Sequence, residues 1–204
     1  MTLTGQKELL IIGMCGDISS GKDTVANILV REHGFKRVAF ADKLKEACKI
    51  IYNFSDEQVY GTQPQKEAVD PYWGSSPRSL MQQTGTNAIR RVIGRDVWVM
   101  SLMQTLLRSN GGRFVISDCR FKNEMDMVRS LGGEVWNVER RKLTATEQFM
   151  NKVKDFLGMT HESERLWHNK ELADRVIDNT QGLMELEVNV NRAMTSMIYD
   201  KNPF

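Results

Sequence analysis

The stretch LLIIGMCGDISSGKDTVANILV, residues 9–30, runs an apolar segment into a glycine-flanked turn and then into Val25, Ile28 and Leu29 at helical spacing. An unbroken apolar run of strand length, residues 8–15, predicts a strand covered on both faces, as in a parallel sheet. The same alternation continues outward. Residues 36–41 (KRVAFA) predict a second strand, and DKLKEACKIIY after it a helix with Asp42 as N-cap or first-turn acid. Further strands are expected at 113–118, 134–140 and 174–179, separated or followed by helices. Five short strands alternating with helices imply an α/β fold, a three-layer doubly wound parallel five-stranded sheet whose ligands sit at the carboxyl ends of the strands.

Within the opening stretch, Gly16 and Gly21 bracket Asp17 to Ser20, and Lys22 follows. This is the spacing of the G-x-x-x-x-G-K-[ST] loop, in which backbone N–H groups, including those of Ser19 and Ser20, turn inward around a phosphate and the lysine reaches the β- and γ-phosphates. A strand before the loop and a helix after it are the context the motif requires. Asp23 stands where the motif has a magnesium-binding hydroxyl. Either Asp23 holds the cation through water, or Thr24 supplies the hydroxyl from the next position.

Composition narrows the function classes. The 28 Lys and Arg against 26 Asp and Glu leave a net charge of +2, so no general attraction to nucleic acid is expected and any basic site is local. Three scattered cysteines in apolar segments argue against a disulfide framework or zinc site and for a reducing compartment. The longest apolar run is far short of the roughly 20 residues of a membrane span. A soluble cytoplasmic protein without membrane contact is expected.

Beyond the loop, SGKDT, FADKLKEAC (40–48), WGSSPRSLMQQTGTNAIRR (73–91), DVWVMSL (96–102), VISDCRFKNEMDMVRSLGGEVWNVER (115–140), HESE (161–164) and ADRVIDN (173–179) occur in order. Together they resemble the phage-type deoxynucleoside monophosphate kinases. The length of 204 residues fits one kinase domain, with the polar, arginine-bearing stretch at about 53–95 expected as an acceptor-binding excursion and the charged stretch at about 140–170 as a lid. The resemblance implies transfer of the γ-phosphoryl of ATP, with Mg2+, to a deoxynucleoside 5′-monophosphate. It also implies a homodimer, and host cytoplasm if the chain is phage-encoded.

Phosphoryl transfer asks for positioning, a metal ion and positive charge rather than covalent chemistry. Asp118, closing the strand RFVISD, fits a magnesium-holding acid, although a strand-end Asp also caps helices. Arg120 and Arg140 are candidate phosphate-neutralising cations, with Arg141 and Lys142 beside the latter. Asp42, Arg78, Gln83 and Arg91 are candidates for the acceptor, and Trp73 is expected to pack. Asn179 falls at the turn beside the adenine in related kinases, and His161 carries no assigned role. Two rival readings use the same loop: a dephospho-coenzyme A kinase, and an ATP-binding module without catalysis.

Overall fold

The computed structural model describes residues 9–17, 19–140 and 172–201. The five strands are β1 (Leu9–Cys15), β2 (Lys36–Val38), β3 (Gly112–Ile116), β4 (Glu134–Glu139) and β5 (Arg175–Asp178). All pairings are parallel, in the order β2-β3-β1-β4-β5. The glycine-loop strand is therefore central, which explains its unbroken burial. Helices α1 (Lys22–His33), α7 (Lys122–Ser130) and α8 (Leu183–Lys201) accompany this sheet.

Alternation along β1 assigns the layers. Leu10, Ile12 and Met14 share a buried cluster with Val25, Ile28 and Leu29 of α1 and Leu186, Val190 and Met194 of α8. Gly13 points the other way, where a Cβ would stand 3.0 Å from Val128 of α7. Period-two side chains thus bury one set under α1 and α8 and the other under α7. The doubly wound three-layer arrangement follows.

The chain divides into two compact units, Met1–Ala39 with Ser109–Phe204, and Phe40–Arg108. The second unit holds α2 (Asp42–Tyr52), α3 (Asp56–Tyr60), α4 (Gln63–Glu67), α5 (Pro77–Gln82), a π-helix (Gln83–Arg90) and α6 (Val97–Leu107). Its small core gathers Cys48, Phe54 and Val59, with Leu44, Tyr52, Leu80 and Met81 against them.

Several local expectations need correction. β2 stops at Val38 rather than residue 41, and β3 at Ile116 rather than 118. The expected excursion at about 53–95 opens with regular structure, α3 and α4, each started by a capping box, Ser55 with Gln58 and Thr62 with Gln65. Asp42 is the first-turn acid of α2 and not its N-cap, which is Ala41. Within the segment 73–91, α5 widens into the π-helix from Gln83.

Candidate functional site

The turn after β1 closes on itself. Gly16 has φ 131° and Gly21 φ 105°, values that suit glycine, and Ser19 is left-handed at φ 62°. A Cβ on Gly16 would lie 2.6 Å from the Val138 carbonyl oxygen, and one on Gly21 2.3 Å from Nδ2 of Asn179. The glycines are thus required by close approach as well as by dihedral angle. Ser20 N–H donates to the Asp17 carbonyl at 3.1 Å, and Val25 N–H to that of Gly21 at 3.0 Å, starting α1.

Lys22, half-buried in the first turn of α1, donates from Nζ to the carbonyls of Gly16 at 2.7 Å and Asp17 at 2.6 Å. Burial pushes its ammonium below the ordinary lysine value, and the Arg120 guanidinium lowers it further. The Oγ of Ser20 is buried with no hydrogen-bond partner. An orphaned hydroxyl in a glycine cradle at a helix N-terminus fits a phosphate oxygen, which supplies the acceptor that the protein does not.

Two neighbouring strands brace the loop. Asn179, after β5, donates from Nδ2 to the Ser20 carbonyl at 2.8 Å, and Arg140, after β4, from Nη1 to the Ser19 carbonyl at 3.2 Å. Beside them lies a cavity of about 340 Å³ whose lining includes Gly21, Thr24, Arg140, Asn179, Thr180 and Leu183. The lining mixes leucine side chains with a guanidinium, chemistry suited to a flat heteroaromatic ring.

Asp118 lies two residues past β3, at the same carboxyl edge as the loop, because β1 and β3 run parallel as neighbours. The N-cap of α7 is Phe121, so Asp118 is not that helix's cap. Arg120 is exposed, and its turn is fixed from the first turn of α7. Buried Glu124 accepts from the N–H groups of Arg120 at 2.6 Å and Phe121 at 3.0 Å. Asp23, one of the two expected cation ligands on the loop, pairs its exposed carboxylate with Arg37 of β2. Among the described residues no group of three His, Cys, Asp or Glu forms a cation cage. Magnesium arriving on phosphates asks the protein for only one or two carboxylates, so the lack of a cage leaves Asp23 and Asp118 as candidates.

In the second unit, Arg78, Gln83 and Arg91 follow one another along α5 and the π-helix, and all three are exposed. Arg78 donates to Gln63 Oε1 at 3.1 Å, and Gln83 to Ser79 Oγ at 3.1 Å. Asp42, half-buried, lies two residues before Leu44, whose methyl would stand 2.5 Å from a Cβ on Gly85 of the π-helix. Trp73 packs edge-on to Tyr52 and donates from Nε1 to its carbonyl at 3.0 Å. The expected lid beyond Arg140, with Arg141, Lys142 and His161, lies outside the described residues.

Residues 71–190 match the family model described as deoxynucleotide monophosphate kinase. A protein of Acanthamoeba polyphaga mimivirus bearing that family's name is 35% identical over 160 residues, covering 71% of this chain and 81% of its own length. The dephospho-CoA kinase of Staphylococcus aureus strain Mu50 is 26% identical over 209 residues, 95% of this chain and 96% of its own. The crystal structure of TT1252 from Thermus thermophilus shares the fold, with TM-score 0.51, 20% identity, and coverage of 96% of this chain and 100% of that one. A match over more than half of the chain, together with the mimivirus relative, decides between the two kinase names: this chain belongs to the deoxynucleotide monophosphate kinase family.

Proposed function

We propose that this protein moves the γ-phosphoryl group of ATP to a deoxynucleoside 5′-monophosphate, releasing ADP and the deoxynucleoside diphosphate. The observation that carries the reading is the loop itself: orphaned Ser20 Oγ, Gly16 and Gly21 forced by close contacts, and Lys22 at the helix start, in a chain of this kinase family. We take the 204 residues as one kinase, with its acceptor-binding excursion at about 53–95 and its lid at about 140–170.

Each group then has a task. The N–H groups of Gly16, Ser19, Gly21, Lys22, Asp23 and Thr24, with the Oγ of Ser20, hold the β-phosphate region, and the base of ATP occupies the cavity beside Asn179 and Arg140. Lys22 exchanges its two carbonyl partners for β- and γ-oxygens. As the bond from the γ-phosphorus to the β–γ bridging oxygen breaks and one to an acceptor phosphate oxygen forms, Lys22, Arg120 and Arg140 neutralise the charge on the moving group. The acceptor oxygen is already anionic, so no strong base is needed. Bound through Asp23, Thr24 or Asp118, Mg2+ supplies charge neutralisation between the phosphates. Asp42, Arg78, Gln83 and Arg91 receive the acceptor, the arginines gripping its phosphate bidentately.

The test mixes the protein with ATP, magnesium and each deoxynucleoside monophosphate in turn and follows ADP. Acceptor-dependent ADP with one or a few bases is expected. Phosphorylation of dephospho-coenzyme A with no turnover of deoxynucleotides would replace this reading by the rival kinase, which the Staphylococcus relative keeps in view. ATP binding with no turnover of any acceptor would leave only a binding module. Assembly as a homodimer and action in the cytoplasm belong to the same proposal. No helix among the described residues is long and apolar enough to cross a membrane.

A further inference from the structure

The pairing of Asp23 with Arg37 has a cause in the sheet register. Parallel pairing sets Arg37 opposite Val115, and Val115 is buried in the cluster that Val25, Ile28 and Leu29 of α1 help to fill. Partners across a parallel ladder share a face, so Arg37 leaves the sheet on the side of α1. There it meets the acid in the first turn of that helix.

Thr24, one residue on, turns elsewhere: it lines the cavity beside Asn179 and Arg140, on the β4–β5 flank. Carboxylate and hydroxyl are thus divided between two sides of the loop. Asp23 alone reaches the β3–β2 flank, where Asp118 follows β3. An acid in a phosphate loop repels phosphates unless a cation screens it, and Arg37 is that cation.

We propose that Arg37 is a positioning residue that meters the divalent cation: it holds the Asp23 carboxylate neutralised against β2, and a cation arriving on nucleotide phosphates gains Asp23 only by displacing the guanidinium. This rests on the nucleotide-binding reading above. Arg37 therefore weakens cation binding to the nucleotide complex and eases nucleotide binding when no metal is present. The side chains are 41% and 76% exposed, so the effect is that of a solvent-screened pair and shrinks in high salt.

The test is calorimetric titration of Mn2+ into the protein–ADP complex for the wild type, Arg37→Met, Asp23→Asn and the double variant. Arg37→Met is expected to bind Mn2+ about two- to fivefold more tightly, the range an exposed ion pair supplies. In the Asp23→Asn background the same substitution is expected to change nothing. Thermal melting checks the fold, and Arg37→Gln takes the place of Arg37→Met if that variant does not fold. Unchanged Mn2+ affinity on loss of Arg37, or an equal shift with and without Asp23, overturns the proposal. Failure of the wild type to bind ADP at all overturns the nucleotide reading and this proposal with it.

Discussion

Asn179 Nδ2 donates to the carbonyl oxygen of Ser20 at 2.8 Å, so the turn after β5 holds the loop after β1 across the width of β4. Asn179→Ala removes this donor from a half-buried carbonyl, a loss of about 1 kcal/mol. ADP affinity is expected to fall about fivefold, read by calorimetry. An unchanged dissociation constant would leave Asn179 as a strand-ending residue only.

Lys22 bridges the Gly16 and Asp17 carbonyls at 2.7 and 2.6 Å, so its ammonium already sits over the loop. Lys22→Met is expected to cut acceptor-dependent ADP formation by at least about a hundredfold, the scale for losing one charge-stabilising donor. Circular dichroism should stay that of the wild type. Near-normal turnover in the folded variant would take the loop out of the chemistry.

Gly16 and Gly34 allow a matched comparison. Both have positive φ, but a Cβ on Gly16 meets the Val138 carbonyl at 2.6 Å, whereas one on Gly34 meets nothing within 4 Å. Gly34→Ala should cost only the left-handed penalty, about 1–2 kcal/mol. Gly16→Ala adds a backbone clash and should melt lower still, at about 2–4 °C for each further kcal/mol. Equal melting temperatures would mean that the loop moves aside freely.

The depressed ammonium of Lys22 gives a pH signature. Between its folded value and the ordinary 10.5, the unfolded chain holds a proton that the folded chain has lost, so this group makes stability rise with pH through that window. Transfer, needing the charged form, should fall as pH rises through the same depressed value. Because Arg120 is one cause of the depression, Arg120→Gln should carry the alkaline limb of kcat/KM to higher pH, whatever it does to the rate. A limb that stays in place would separate Arg120 from Lys22.

All three cysteines are buried, and burial pushes the Cys15 thiol up to about 12. A thiol reagent at pH 8 is expected to find no fast-reacting group in the folded protein and three in denaturant. A single rapid thiol in the native protein would show that one of these segments opens readily.

The sheet was legible because its signals are local. The apolar run from Leu9 to Cys15 and the glycine spacing around Lys22 each lie within a dozen residues, and α2 began and ended where its pattern did. What stayed hidden depends on backbone form or distance. Hydrophobic spacing does not tell five residues per hydrogen-bonded turn from four, so the π-helix and the bond from Trp98 Nε1 to Gly85 were invisible. Glu124 looks like any first-turn acid until the turn it secures is seen. The partner of Asp23 is fourteen positions away and set by register, which no short motif encodes.

The place of β1 in the sheet separates two timescales of opening. Flanked by β3 and β4, its amides are expected to exchange with solvent only when the whole unit unfolds, so the loop is rooted in the slowest part of the molecule. Among the described residues β2 is an edge strand of three residues, bonded to β3 alone, and should exchange through local fraying. The partner of Asp23 is thus carried on a segment that can let go while the glycine cradle stays formed.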